Sequence, residues 1–261
     1  MKKSTQEHKN YRGPEKAGSI SKNEMFLIDF INEKNMISFS VEDLRRLSGW
    51  KSSKIHNTLY TMKKKNIVFK IKRNMFSLAE KARINMYKIS TAIAHPSYIS
   101  LWTALSFYGY TEQQIRTIQL ISTKQHKNIE SKLQRIEIVT MNPGRFYGYT
   151  MIDGFPIADK EKVIIDSFFK PDKCGGFDEV VKCFANAWNE LDKRKLLEYI
   201  IKFNNKSLIS RIGYIIEKFK LTGIDTDNLI KYRSNSFVKL DPNVEKTKKY
   251  DERWKIIINY S

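Results

Sequence analysis

Between Asn23 and Leu78 the spacing of apolar residues changes from a helical period to a strand period, and that change leaves few folds open to this stretch. Phe26, Leu27, Phe30 and Ile31 share one stripe, which predicts a first helix from about Asn23 to Lys34-Asn35. Met36 to Phe39 reads as a short extended link. Ser40 is a good N-cap, Glu42 and Asp43 put acids in the first turn where the helix dipole favours them, and Val41, Leu44 and Leu47 face one way. Ser48-Gly49-Trp50 breaks this second helix. A third is predicted from Ser52 or Ser53 to about Lys65, with Ile55, Leu59 and Met62 at i, i+4 and i+7. The period then falls to two. Ile67, Phe69 and Ile71 alternate with Val68, Lys70 and Lys72, and Met75, Phe76 and Leu78 resume after Arg73-Asn74, where asparagine tolerates the positive φ of a tight hairpin. Two short helices around a glycine turn, followed by a hairpin, predict a winged helix-turn-helix.

Charge falls on the same stretch. The chain carries 47 Lys and Arg against 28 Asp and Glu, a formal +19 over 261 residues. Ser40 to Glu80 holds ten Lys or Arg against three acids, a net +7 in 41 residues, and the other 220 residues share +12. Such an excess attracts polyanions: nucleic acid first, an anionic membrane surface second, an acidic protein third. No apolar run approaches the ~18 residues of a bilayer span, and the first thirty residues lack the apolar core of a secretory signal, so a cytoplasmic protein is expected. Cys174 and Cys183 are too few for a disulfide framework, and His8, His56, His95 and His126 form no ligand pattern, so neither a metal nor another cofactor is expected.

If Ile55, Leu59 and Met62 point inward, the residues nearest the opposite side of the third helix are Ser53, Asn57, Tyr60 and Lys64, which would face the bases in the major groove of double-stranded DNA. Asn57 is the best candidate for base readout, since its amide can pair bidentately with adenine. Lys51, Lys54, His56 and Lys63 would flank them at phosphates, and Lys70, Lys72, Arg73 and Asn74 would place the wing beside the neighbouring backbone. The plainer reading of the helix is a solvated lysine-rich face; the turn, the basic hairpin and the local charge favour DNA.

The expected fold class is α+β, mixed. It comprises a flexible basic arm over 1–21, the winged helix-turn-helix over 22–80, and a larger mixed α/β domain with a C-terminal helical portion over 81–261. In the last, helices are predicted over Ser97 to Tyr108, Ala158 to Phe169, Phe177 to Glu190, Asp192 to Asn204 and Leu208 to Lys220. Strands are predicted over Ile118 to Ser122, Ile136 to Thr140, Phe146 to Ile152 and Trp254 to Ile258. No phosphate loop, nucleophile elbow or Cys/His cluster is present, and no catalytic residue is assigned. Glu161 and Asp166 could be scanned as nuclease carboxylates with a lysine, but five positions put them about 140° apart on a helix, so capping or a structural salt bridge is the preferred reading. The run from Tyr98 to Gly109 reads as a packed helix ending in a glycine cap rather than a ligand pocket.

That run, YISLWTALSFYG, following a winged-helix pattern, resembles the AbiEi family of abortive-infection antitoxins. Ala158 to Asp166, ADKEKVIID, is similar to the family's Ala-x-x-Glu-Arg-Ala-Leu-x-Asp helix, and Arg211 to Glu217, RIGYIIE, to its Arg-Leu-Gly-Tyr-Leu-Leu-Glu helix. Leu240-Asp241-Pro242, Arg253-Trp254-Lys255 and Asn259 resemble its closing strand region. Lys162 and Val163 stand where Arg and Ala are usual, and Asn74 where glycine is common. The resemblance spans almost the whole chain beyond the arm. It implies an N-terminal domain that represses its own operon and a C-terminal domain that counteracts a nucleotidyltransferase toxin in a type IV arrangement. From the residues alone, a ligand-sensing regulator without a toxin, or a DNA-binding nuclease, would have the same texture.

Overall fold

The computed structural model describes residues 19–130 and 134–259, and the chain divides after Ile84 into two compact units. Most of the arm expected over 1–21 lies outside the described residues; Ser21 is already the N-cap of the first helix.

In the first unit, α1 (Lys22–Glu33), α2 (Val41–Ser48) and α3 (Ser52–Lys64) precede the antiparallel hairpin β1 (Val68–Lys72) and β2 (Met75–Leu78), and α4 (Ala79–Ile84) ends it. Ser21 and Ser40 each form a capping box, with Glu24 and Asp43, which satisfies the first amides of α1 and α2. Gly49, at φ 71°, closes α2 in the left-handed region, where a β-carbon is penalised. Leu27, Ile31, Phe39, Val41, Leu44, Ile55, Leu59, Met62, Val68 and Leu78 form the core. The link before α2 does more than connect: Phe39 and Phe76 exchange backbone hydrogen bonds at 2.8 Å each way and tie the hairpin to the helices.

The second unit runs α5 (Met86–Ile93), β3 (Ser97–Ile99), α6 (Leu101–Phe107), β4 (Thr117–Ser122), β5 (Ile129–Glu130), β6 (Arg135–Thr140), β7 (Tyr149–Ile152) and β8 (Phe155–Ala158). The helices α7 (Lys160–Phe169), α8 (Phe177–Ala187), α9 (Lys193–Phe203), α10 (Lys206–Lys218) and α11 (Thr226–Ile230) follow, then β9 (Val238–Lys239), β10 (Tyr250–Asp251) and β11 (Ile256–Ile257). Six strands form one mixed sheet in the order β5-β6-β4-β3-β8-β7, with β4 and β6 parallel, β3 and β8 parallel, and the other neighbours antiparallel; the last three make a small sheet, β10-β11-β9. The fold class is therefore mixed α+β.

Four expectations are corrected here, the first being that Trp254 and Lys255 lie in a turn, so the last strand is Ile256–Ile257 and not Trp254 to Ile258. Ser97 to Ile99 is a strand inside the large sheet, not the start of a helix; all three residues are buried, and the chain turns into α6 at Leu101 with φ 56°. Phe146 to Gly148 precedes β7 as irregular backbone, so that strand begins at Tyr149. Ala158 ends β8 rather than opening α7; β8 pairs with β7 despite Pro156, which has no amide hydrogen to donate.

Candidate nucleic-acid interface

The orientation of α3 is set by one buried carboxylate. Glu24, on α1, is 1% exposed, and it accepts hydrogen bonds from Thr61 Oγ1 at 2.7 Å, Lys65 Nζ at 2.7 Å and the Ser21 amide at 2.7 Å. Burial opposes its charge, but Lys65, the Ser21 amide and Thr61 outweigh it and bring its pKa down to about 2. Thr61 lies in the last turn of α3 and Lys65 is its C-cap, so this network fixes the helix's rotation against α1. Sequence reasoning missed it, although the spacing Ser21-x-x-Glu24 is a capping-box signature that could have singled out Glu24.

With Ile55, Thr58, Leu59 and Met62 buried, the outer side of α3 is determined, and Ser53, Asn57, Tyr60 and Lys64 are all exposed on it. Lys64 Nζ stands 4.6 Å from the centre of the Tyr60 ring, whose exposure is 60%. Lys51, Lys54, His56 and Lys63 are exposed as well. Lys54 is held over the Trp50 ring at 3.7 Å, and Trp50 is stacked on Phe26 at 4.8 Å with an interplanar angle of 15°. The half-buried Trp50, read from sequence only as part of a helix break, is thus a prop that aims a cation. Lys51 caps α3 by backbone alone, with no side-chain bond to its first amides, which leaves these groups available to an anion.

On the hairpin, Lys70, Lys72, Arg73 and Asn74 are exposed, and Asn74 adopts φ 61°, the conformation the turn needs. A register shift between Lys70 and Lys72 marks a bulge on β1 just before this turn.

The two acids of the second unit singled out from the sequence, Asp166 and Glu161, are bound up in the fold. Asp166 and Lys162, both fully buried, form an ion pair one turn apart on α7; the carboxylate also accepts from Ser100 Oγ at 2.8 Å and from Tyr98 Oη at 3.1 Å. Burial pushes the Lys162 ammonium down and the Asp166 carboxyl up, each opposed by the other's charge. Glu161 accepts from the Asp192 amide at 2.9 Å and pairs with Lys195 at 3.3 Å. Among the described residues no group of three His, Cys, Asp or Glu is placed to hold a metal, and no helix is long and apolar enough to cross a membrane. In the run Tyr98 to Gly109, α6 packs Leu101, Ala104 and Leu105 inward, and Gly109, at φ 75°, follows its C-cap while the Tyr110 amide donates to the Leu105 carbonyl at 2.9 Å.

The molecule thus belongs to the class of mixed α+β proteins built of two units, with an exposed basic helix and hairpin on the first. No family model matches the chain, and no curated protein does. Among solved structures, the RV2827C protein from Mycobacterium tuberculosis superposes with a TM-score of 0.66, covering 91% of this chain and 92% of that chain at 10% sequence identity. The likeness is one of fold.

Proposed function

We propose that the first unit is a winged helix-turn-helix that binds double-stranded DNA, with α3 in the major groove and the β1–β2 hairpin on the adjacent backbone. The observation that carries this reading is the joint exposure of Ser53, Asn57, Tyr60 and Lys64 on α3 with Lys70, Lys72 and Arg73 on the hairpin, while the helix buries Ile55, Leu59 and Met62. A lysine-rich surface alone would need neither a base-facing row of short polar and aromatic side chains nor uncapped amides at the start of the same helix.

With the AbiEi resemblance, the reading becomes a cytoplasmic autorepressor that is also an antitoxin, its second unit counteracting a nucleotidyltransferase toxin and having no catalysis of its own. The engagement of Asp166 in a buried ion pair with Lys162, and of Glu161 in a pair with the half-exposed Lys195, supports the last point over the nuclease alternative.

The test is a salt-dependent titration of duplex DNA carrying the operator upstream of the chain's own gene, and of random duplex. Lys72→Ala with Arg73→Ala should weaken both alike and reduce the slope of log affinity against log salt by about 0.9 per lost phosphate contact. Asn57→Ala should cost about 1–3 kcal/mol on the operator and little on random DNA. Equal losses by both variants on both DNAs would overturn the orientation of α3, and no duplex binding at low salt would overturn the reading itself. For the antitoxin role, the full chain should restore growth to cells expressing a nucleotidyltransferase encoded beside its gene, and failure to do so with the chain folded and abundant would remove that role.

A further inference from the structure

We propose that a cavity of about 330 Å³ on the second unit, bordered by Asn142, Gly144, Arg145, Lys202, Phe203 and Asn204, binds a phosphoryl anion. The inference is independent of DNA binding by the first unit.

Arg145 is fixed there without a carboxylate. Its Nε donates to the Phe203 carbonyl at 2.9 Å and its Nη2 to the Asn204 carbonyl at 3.3 Å, while the central carbon of the guanidinium lies 4.6 Å and 5.0 Å from the ring centres of Phe203 and Phe169. Two of its five N–H groups are thereby used, and the planar fork is held in one orientation with donors to spare. Lys202, exposed on α9, brings a second cation to the same cavity, with Nζ 4.3 Å from the Tyr147 ring centre. Asn142 accepts the Gly144 amide through Oδ1 at 2.9 Å, which leaves its NH2 group as a further donor.

The cavity lining contains no acid. Among the described residues neither Arg145 nor Lys202 has a carboxylate partner; Asp159 and Glu161 are taken by Lys195, and Asp166 by Lys162. The Arg145 guanidinium also adds, after burial, to what pushes Lys162 down. Two cations and an amide donor bordering one space suit a tetrahedral oxyanion, which offers an acceptor to each. The volume exceeds that of bare phosphate, so it leaves room for an ester substituent. The phosphoryl group could be inorganic or carried by a nucleotide.

The test uses the full chain, following the amide resonances of Gly144 and Asn204 and the Nε resonance of Arg145 by NMR during titration with inorganic phosphate at constant ionic strength, with chloride as comparison. Phosphate should shift these three saturably and chloride should not. Lys202→Gln, at an exposed position, should raise the phosphate Kd about tenfold with the melting temperature unchanged, which is the loss expected for one charge-assisted contact. Asn142→Asp keeps the acceptor for Gly144 and should weaken binding at least as much. Lys72→Ala with Arg73→Ala, in the first unit, should leave the response intact. A 5′-mononucleotide moving the same resonances at lower concentration would identify an ester as the better ligand; equal affinities would identify the inorganic ion. Shifts that do not saturate, that chloride reproduces, or that persist unchanged in both cavity variants would overturn the site.

Discussion

The ring of Trp254 lies against the α-carbon of Gly213: a β-carbon built on Gly213 would stand 2.1 Å from Cζ3 and 2.2 Å from Cη2 of that ring. Trp254 Nε1 donates to Glu217 Oε2 at 2.7 Å, and Arg253 joins Glu217 at 2.9 Å to Asp227 at 2.5 Å. Two separate sequence runs, Arg211 to Glu217 and Arg253 to Lys255, are therefore one packing unit. Gly213→Ala should lower the stability of the second unit by about 2–3 kcal/mol, because the indole and α10 have no slack to part. Trp254→Phe, which shortens the ring, should restore part of that loss when combined with it. Urea midpoints of the single and double variants measure both effects; an unchanged midpoint for Gly213→Ala would refute the contact.

The Lys162–Asp166 pair should behave as a unit. Asp166→Asn strands an ammonium in the core and Lys162→Met strands a carboxylate, each at a cost of about 3–5 kcal/mol. The double variant should cost clearly less than the sum, since no charge is then left alone. A double-mutant cycle by denaturant melts gives the coupling, and additive losses would show the pair to be energetically separate.

Acid should loosen the first unit through Glu24. Its folded pKa of about 2 lies below the unfolded value of 4.5, so its contribution is complete above about pH 4.5 and drains away as the pH falls toward 2. Glu24→Gln should be less stable than the parent at pH 6 and should show a shallower loss between pH 4.5 and 2.5. Urea midpoints across that range decide it; parallel curves would mean that another carboxylate governs.

Ending the first unit at residue 80 should damage it. Ala82 is fully buried and Lys81 Nζ donates to the Ile31 carbonyl at 3.2 Å, so α4 completes the core that the pattern of alternation seemed to close at Leu78. A fragment of residues 1–84 should be more stable than one of 1–80 by about 1–2 kcal/mol. Thermal melts of the two fragments make the comparison, and equal melting points would make α4 dispensable.

The helices and hairpin of the first unit were legible because each carries its own signals. Ser40 begins α2, Gly49 ends it, Asn74 turns the hairpin, and the burial of Ile55, Leu59 and Met62 follows from their spacing. That same phase made the exposed face of α3 readable. Ser97 to Ile99 was not legible, since a three-residue strand buried on both sides has no alternation, and the φ of 56° at Leu101 is one that a bulky side chain ordinarily avoids. No strand is expected at β8, where a proline disfavours pairing, and pairing with β3 and β7 overrides that local preference. The buried pair was hidden because a lysine and an aspartate one helical turn apart look the same in sequence whether they face water or, like Lys162 and Asp166, the core. The phosphoryl cavity depends on Arg145 meeting the end of α9 nearly sixty residues further on, a proximity that no local pattern encodes.

The two units also differ in when they can form during synthesis. Every contact in the core of the first, from Leu27 to Leu78, is available once α4 has emerged, and its hairpin closes over two residues. In the second, the inner strand β3 waits for β8, because Ile99 has no neighbour on that side until Ile157 is made. Chains fold from the N-terminus as they are translated. A ribosome partway through the second unit therefore already carries a finished first unit, while β3 stays unpaired on one side until β8 has been made.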